Sequence, residues 1–209
     1  MRLFLSSYRA GNYAERLVEL FGEGCKVALI SNAKDYKTAD ERNQSVADVM
    51  KFLQDLGFDV DELDLRKYFN SKQDWRKYLK NYGAIWLSGG NTFVLCRALA
   101  AAGLNDAITE MVHNDELAYG GESAGAILAT PSFYGVEHGD DPDVLPEGYT
   151  APTPWEGLGL VSYHIVPHFG TWDAAGQMIN VLEAKDLQYV TSTDSEVMIV
   201  DGNKEEKLV

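Results

Sequence analysis

Six apolar runs of strand length alternate along this chain with stretches of helical periodicity, and no other feature narrows its fold as far. The runs occupy 3–6, 27–31, 58–63, 84–88, 117–120 and 160–166. Between them, 39–56 repeats Val46, Val49, Met50, Leu53 and Leu56 at helical spacing, behind a capping-box signature of Thr38 and Glu41. The span 92–101 follows Asn91, a good N-cap, and stops at Gly103, and 172–182 sets Ala175, Met178, Ile179 and Leu182 on one helical face. Strand, helix, strand in repetition predicts a three-layer α/β fold, a mostly parallel sheet with helices on both faces. Near the end, 197–200 and a second short run flank Asp201-Gly202, the pair that favours a type I′ turn, so a C-terminal β-hairpin is expected. The length of 209 residues suits one domain spanning 1–209.

Charge and cysteine usage remove several classes of function. A formal net charge of −14 repels phosphate backbones and anionic lipid, so neither nucleic acid nor a membrane surface is an expected partner. No apolar run approaches the length of a membrane span, and Ser7-Tyr8-Arg9 cuts the opening run too short for a signal peptide. Cys25 and Cys96 lie far apart and outside any C-x-x-C pattern, which argues against a disulfide framework or zinc knuckle and for a reducing cytoplasm. Nothing in the chain chooses between a monomer and a homodimer.

Ligands of an open α/β sheet gather beyond the carboxyl ends of its strands, so the strand exits are where chemistry is to be sought. One exit is Gly121-Glu122-Ser123-Ala124-Gly125, a G-x-S-x-G nucleophile elbow that holds a serine hydroxyl on a sharp strand-to-helix turn. A second is Ser88-Gly89-Gly90-Asn91, whose glycines let backbone approach a ligand closely. An oxyanion hole needs two converging N–H donors, and Ala124 and Gly90 are the candidates. A third exit, Val166-Pro167-His168-Phe169, offers His168 as the base; His113, His138 and His164 sit less well, on a helix end, in an acidic loop and inside a strand. His164 and His168 are no metal pair on this reading, because four residues of strand span about 13 Å. The acids Glu137, Asp140, Asp141 and Asp143 all follow the elbow helix, and spacing does not choose which of them orients the imidazole.

Taken together, Gly89-Gly90-Asn91-Thr92-Phe93, Gly121 to Ala126, Ala129-Thr130-Pro131 and Pro167-His168-Phe169 resemble the peptidase E family of serine peptidases, the α-aspartyl dipeptidases, with a more distant similarity to cyanophycinases. The resemblance implies an α/β fold related to class I glutamine amidotransferases, a nucleophile at Ser123 and a base at His168. It also implies a triad aspartate shortly before a proline, which favours Asp140 in Asp140-Asp141-Pro142, with Asp141 and Glu137 as alternatives. In the family an arginine on the helix after the Pro-His-Phe segment reads the substrate's aspartate, yet 169–184 here holds neither Arg nor Lys. Arg9, just beyond the first strand, is the one nearby basic residue that offers a substitute. Asn91 and Glu122 are the further substrate-binding candidates, Glu122 facing either a substrate ammonium or solvent.

The expected activity is therefore hydrolysis of dipeptides or other short peptides by Ser123, His168 and Asp140, with Gly90 and Ala124 holding the oxyanion and no metal or organic cofactor required. Two alternatives use the same residues differently: an esterase or acyl hydrolase, and a non-catalytic peptide-binding module.

Overall fold

Successive residues of a β-strand face opposite sides of its sheet, so a strand covered on both faces is apolar throughout. In the computed structural model, which describes residues 1–150 and 152–209, β1 (Arg2–Ser6) is such a strand: Leu3 and Leu5 enter one buried cluster and Phe4 the other. The remaining elements follow in chain order as α1 (Ala14–Phe21), β2 (Lys26–Ile30), α2 (Ala39–Asp55), β3 (Asp59–Glu62), α3 (Trp75–Leu79), β4 (Ala84–Leu87) and α4 (Thr92–Ala102). After these come α5 (Asn105–His113), β5 (Ala118–Glu122), α6 (Ala124–Leu128), β6 (His164–Val166), α7 (Ala174–Ala184), β7 (Tyr189–Thr191), β8 (Val197–Asp201) and β9 (Lys204–Leu208).

Seven strands form one sheet in the order β3-β2-β4-β5-β1-β8-β9, the first five parallel and the last two antiparallel. Val27, Leu29, Ala84, Trp86 and Phe4 pack under α1 and α2, while Ala28, Ile30, Ile85, Leu87, Leu3 and Leu5 pack under α4, α5, α6 and α7. This is the three-layer α/β arrangement that the alternating pattern predicts. The capping box at Thr38 and Glu41 is formed in full, and Asn91 caps α4 by accepting from the Val94 N–H at 2.9 Å. No helix among the described residues is long and apolar enough to cross a membrane.

Two local expectations need correction. Of the apolar run 160–166 only β6 is strand, and it pairs in parallel with β7 in a separate two-stranded sheet, with α7 as the crossover. Leu160 and Val161 are apolar because they are buried in the core beside α6, their N–H groups donating to the Ala129 carbonyl. The terminal hairpin is present, but Asp201 pairs with Lys204, so the turn residues are Gly202 and Asn203. Gly202 then takes the first central position at φ 59 while Asn203 is not at positive φ, which makes a type II′ turn in place of the expected I′.

Candidate active site

Ser123 stands directly between β5 and α6 with φ 51 and ψ −110, a conformation that costs a non-glycine residue of order 1–3 kcal/mol and is kept only where the surroundings enforce it. They do so through the Ser123 N–H, which donates to the Ser6 carbonyl at 2.9 Å, and the Tyr119 hydroxyl, which donates to the Gly125 carbonyl at 2.6 Å. Space does the rest. A Cβ on Gly121 would collide with the Gly125 carbonyl, and one on Gly125 with the Leu87 carbonyl. The turn therefore stays tight and the hydroxyl stays at its apex.

His168 leaves β6 at its carboxyl end, also at positive φ (54). Its Nε2 lies 2.9 Å from Ser123 Oγ, and its Nδ1 lies 2.5 Å from Asp194 Oδ1. With the carboxylate accepting from Nδ1–H, Nε2 is left as an acceptor for the serine hydroxyl. The imidazole is held from behind as well. The His168 N–H donates to Ser7 Oγ at 3.1 Å, and Ser7 donates onward to the Ser192 carbonyl at 2.7 Å, which fastens the ends of β1, β6 and β7 together.

Asp140 does not occupy the place expected of it. Its Oδ2 accepts from the Thr92 N–H at 2.8 Å and from Thr92 Oγ1 at 2.6 Å, so it satisfies free donors at the start of α4, and burial raises its pKa. Neither alternative reaches the imidazole: Asp141 Oδ1 accepts from the Asp143 N–H, and Glu137 Oε2 is buried without a hydrogen-bond partner among the described residues. The residue that meets His168 is Asp194, which sequence reasoning missed. The rule of searching strand exits reaches it once β7 is recognised, since Asp194 lies just beyond that strand as His168 lies beyond β6.

The other candidates divide. The backbone N–H groups of Gly90 and Ala124 donate to no group among the described residues, as an oxyanion site requires. Asn91 is committed to structure, its Oδ1 capping α4 and its Nδ2 donating to the Asp141 carbonyl at 2.9 Å. Glu122 is buried, and its carboxylate turns onto backbone, accepting from the Arg9 N–H at 2.8 Å and more distantly from the Gly89 N–H at 3.5 Å. Ser7, Arg9, Lys34, Glu122, Ser123 and His168 all line one cleft of about 300 Å³. The Arg9 guanidinium rests over the rings of Tyr8 and Phe52, with Nη1 buried and lacking a hydrogen-bond partner among the described residues. His164 faces away from this chemistry, its Nε2 on Ser132 Oγ at 2.8 Å, and no group of three or more His, Cys, Asp or Glu among the described residues is placed to hold a metal ion.

The wall of the cleft is braced by a buried charge network. The 3₁₀ turn Asn32–Lys34 after β2 is followed by Asp35, whose carboxylate accepts from Arg42 Nε at 2.5 Å, Asn32 Nδ2 at 2.7 Å and the Tyr149 hydroxyl at 2.6 Å. The Asp35 and Arg42 side chains are only 1% and 5% exposed. Alongside, burial would raise the Asp64 carboxyl, but Arg66 and Arg42 overrule it and hold it down to about 2. Asp35→Asn leaves Arg42 with Glu62 at 2.8 Å and the more distant Asp64 at 3.8 Å as its carboxylate partners among the described residues. The expected cost is about 3 kcal/mol, at the low end for a broken buried pair, and a Tm lower by roughly 6–12 °C for a chain of this size. A thermal melt of the variant checks this; a fall of under about 2 °C assigns the bracing elsewhere.

Comparison with known proteins is consistent with this geometry. Residues 5–207 match the profile of peptidase family S51. A probable alpha-aspartyl dipeptidase of Drosophila melanogaster is 36% identical over 129 residues, covering 62% of this chain and 48% of that protein. An uncharacterised peptidase of Pasteurella multocida is 29% identical over 205 residues, with 93% and 89% covered. Peptidase E of Nostoc is 30% identical over 144 residues, so the chain spans about half the length of the Drosophila and Nostoc proteins it matches, 48% and 52%. Among solved structures, a candidate peptidase E from Listeria monocytogenes superposes with a TM-score of 0.78 at 25% identity, over 99% of this chain and 97% of that one.

Proposed function

The chain belongs to peptidase family S51, a family of serine-type peptidases, and from that premise we propose that it hydrolyses dipeptides or other short peptides through an acyl-enzyme. One observation carries the reading: an unbroken relay from Asp194 Oδ1 through His168 to Ser123 Oγ, at 2.5 and 2.9 Å, opening into the cleft. In the proposed mechanism Ser123 Oγ attacks the scissile carbonyl while its proton passes to His168 Nε2. Asp194 holds the imidazole in the accepting tautomer and stabilises the imidazolium that forms. The Gly90 and Ala124 N–H groups receive the oxyanion. His168 then protonates the leaving amine, and water, activated by the same imidazole, releases the acyl group from the serine.

The test pairs a dipeptide-library hydrolysis screen with fluorophosphonate labelling read by mass spectrometry. Hydrolysis of peptides, with the adduct on the peptide containing Ser123, is the expected result. Turnover of short esters alone favours an acyl hydrolase, and dipeptide binding without any adduct favours a binding module.

On side-chain selection we expect Asp-Xaa dipeptides to be no more than about tenfold better than Asn, Leu or Lys counterparts, a gap of roughly 1.4 kcal/mol. No cation stands on 169–184, and the cations that do line the cleft, Arg9, Lys34 and Lys37, share it with Glu122 and Asp48. A second reading, an aspartyl-specific dipeptidase, is favoured by the unpartnered Nη1 of Arg9. Measuring kcat/KM for the four matched peptides separates the two. A preference for aspartate of a hundredfold or more, abolished by Arg9→Ala, establishes the second.

A further inference from the structure

Lys34 ends the 3₁₀ turn after β2 and reaches across to the loop 88–91, where its Nζ donates to the Gly89 carbonyl at 2.5 Å and to Ser88 Oγ at 3.0 Å. The Gly89 carbonyl and the Gly90 N–H belong to one peptide group, and in a trans peptide they point in opposite directions. A peptide between two glycines is free to flip, because neither neighbour carries a Cβ that would forbid one orientation. Steric constraint on this loop is otherwise one-sided: Gly90, at φ 145, packs against the Ala33 carbonyl, and the Asn91 N–H donates to that same carbonyl at 2.8 Å. Gly89 itself stands beside Ser123, close enough that a Cβ there would lie 3.7 Å from Oγ.

We propose that Lys34 is the positioning residue of the oxyanion hole: by holding the Gly89 carbonyl with a charged donor, it turns the Gly90 N–H away from itself toward the serine and polarises the peptide that carries it. Glu122 completes the grip from the other end of Gly89, through the N–H it faces at 3.5 Å. The charge matters as well as the orientation. A hydrogen bond from an ammonium is roughly twice as strong as one from a neutral amine, and polarising a carbonyl makes the N–H of the same peptide a better donor to developing negative charge. Lys34 acts through the backbone and needs no contact with substrate. The proposal rests on Ser123 being the nucleophile.

It brings a pH dependence with a defined sign. Burial pushes the Lys34 ammonium down to about 8, helped by the positive charges of Lys37, Arg9 and Arg42 and opposed by Glu122. The remaining titratable groups around the cleft are Tyr8 beyond β1, His168 beyond β6, Asp48 on α2 and Tyr36, whose phenol burial raises further above neutrality. As pH rises through about 8 the clamp loses its charge, so turnover and labelling fall on the alkaline side.

The experiment measures fluorophosphonate labelling rates and peptide kcat and KM from pH 6 to 10 for wild type, Lys34→Met and Lys34→Arg. Labelling builds up charge on the same oxygen site without depending on peptide recognition. Lys34→Met is expected to lower kcat and the labelling rate by roughly 10²-fold, the scale of a lost oxyanion donor, with KM nearly unchanged and no alkaline fall near pH 8. Lys34→Arg, charged throughout that range, is expected to recover most of the rate and also to lose the fall. Labelling of Lys34→Met within about threefold of wild type, a loss confined to KM, or an alkaline fall that persists in both variants overturns the proposal. A wild type that takes no label at Ser123 overturns the serine mechanism and this proposal together, whereas equal labelling of wild type and Lys34→Met overturns the proposal alone.

Discussion

Ser123→Ala should lower kcat by roughly 10³-fold or more while leaving the folded chain intact. The stability half of this expectation follows from what the substitution leaves in place. Alanine keeps the Cβ, so the backbone at φ 51 is as strained as before, and the Ser123 N–H bond to Ser6 is unaffected. Only Oγ goes, and His168, a quarter exposed, can replace that contact with water. Tm should therefore move by no more than about 2 °C, since surface-like deletions stay within about 0.5 kcal/mol. The activity half follows from the loss of the atom that attacks in the proposed mechanism. His168→Ala should cost as much, and the double variant no more than either alone, because in the proposed mechanism the two residues carry out one step together. Steady-state hydrolysis of a good dipeptide by the three variants decides it; additive losses would separate the serine from the imidazole.

The second large effect distinguishes two aspartates. Asp194→Asn should lower kcat by about 10³-fold, because an amide nitrogen can donate to Nδ1 and stabilise the tautomer whose Nε2 already carries a proton. That imidazole faces Ser123 Oγ with no lone pair to offer. Asp194 is 47% exposed, so solvent softens the effect, and the figure stands below the roughly 10⁴ known for a fully buried triad carboxylate. Asp140→Asn should behave differently. Its remaining carbonyl oxygen can still accept from Thr92, so the start of α4 loses part of a charge-assisted bond while kcat stays within about tenfold. A crippled Asp140→Asn beside a nearly silent Asp194→Asn would restore the assignment drawn from the proline-adjacent pattern.

These two aspartates also mark where the sequence stops being legible. Ser123 and His168 stand out because long apolar runs lead to them and strand exits collect ligands. Asp194 does not, because β7 is three residues, Tyr-Val-Thr, of intermediate burial, and is a strand only through its pairing with β6. Nothing local to 189–191 distinguishes it from a loop. Asp140 is misleading for the opposite reason: its neighbours fit the aspartate-before-proline pattern that the family resemblance implies, while its carboxylate is drawn to unpaired N–H groups that appear only when the loop folds back over α4. Lys34 is hidden in the same way. In the chain it is one basic residue in a polar stretch, and its importance comes from a carbonyl 55 residues away. The short helices α1 and α3 carry no periodic pattern as long as that of α2. The three-layer architecture is readable because burial on both faces of a sheet writes itself into the central strands β1, β2, β4 and β5.

Seen as a string, Gly-Glu-Ser-Ala-Gly looks like a recipe for chemistry, yet two of its five letters describe volume. Gly121 and Gly125 are there because two carbonyl oxygens leave no room for a methyl group, and the same would be true if Ser123 were inert. A search with this pattern retrieves a backbone contour, the outline of a ridge on which some side chain will be displayed. Whether the display does anything is decided by residues the pattern omits, here those contributed by a second, much smaller sheet. The motif is a mould, and catalysis depends on what has been set facing it.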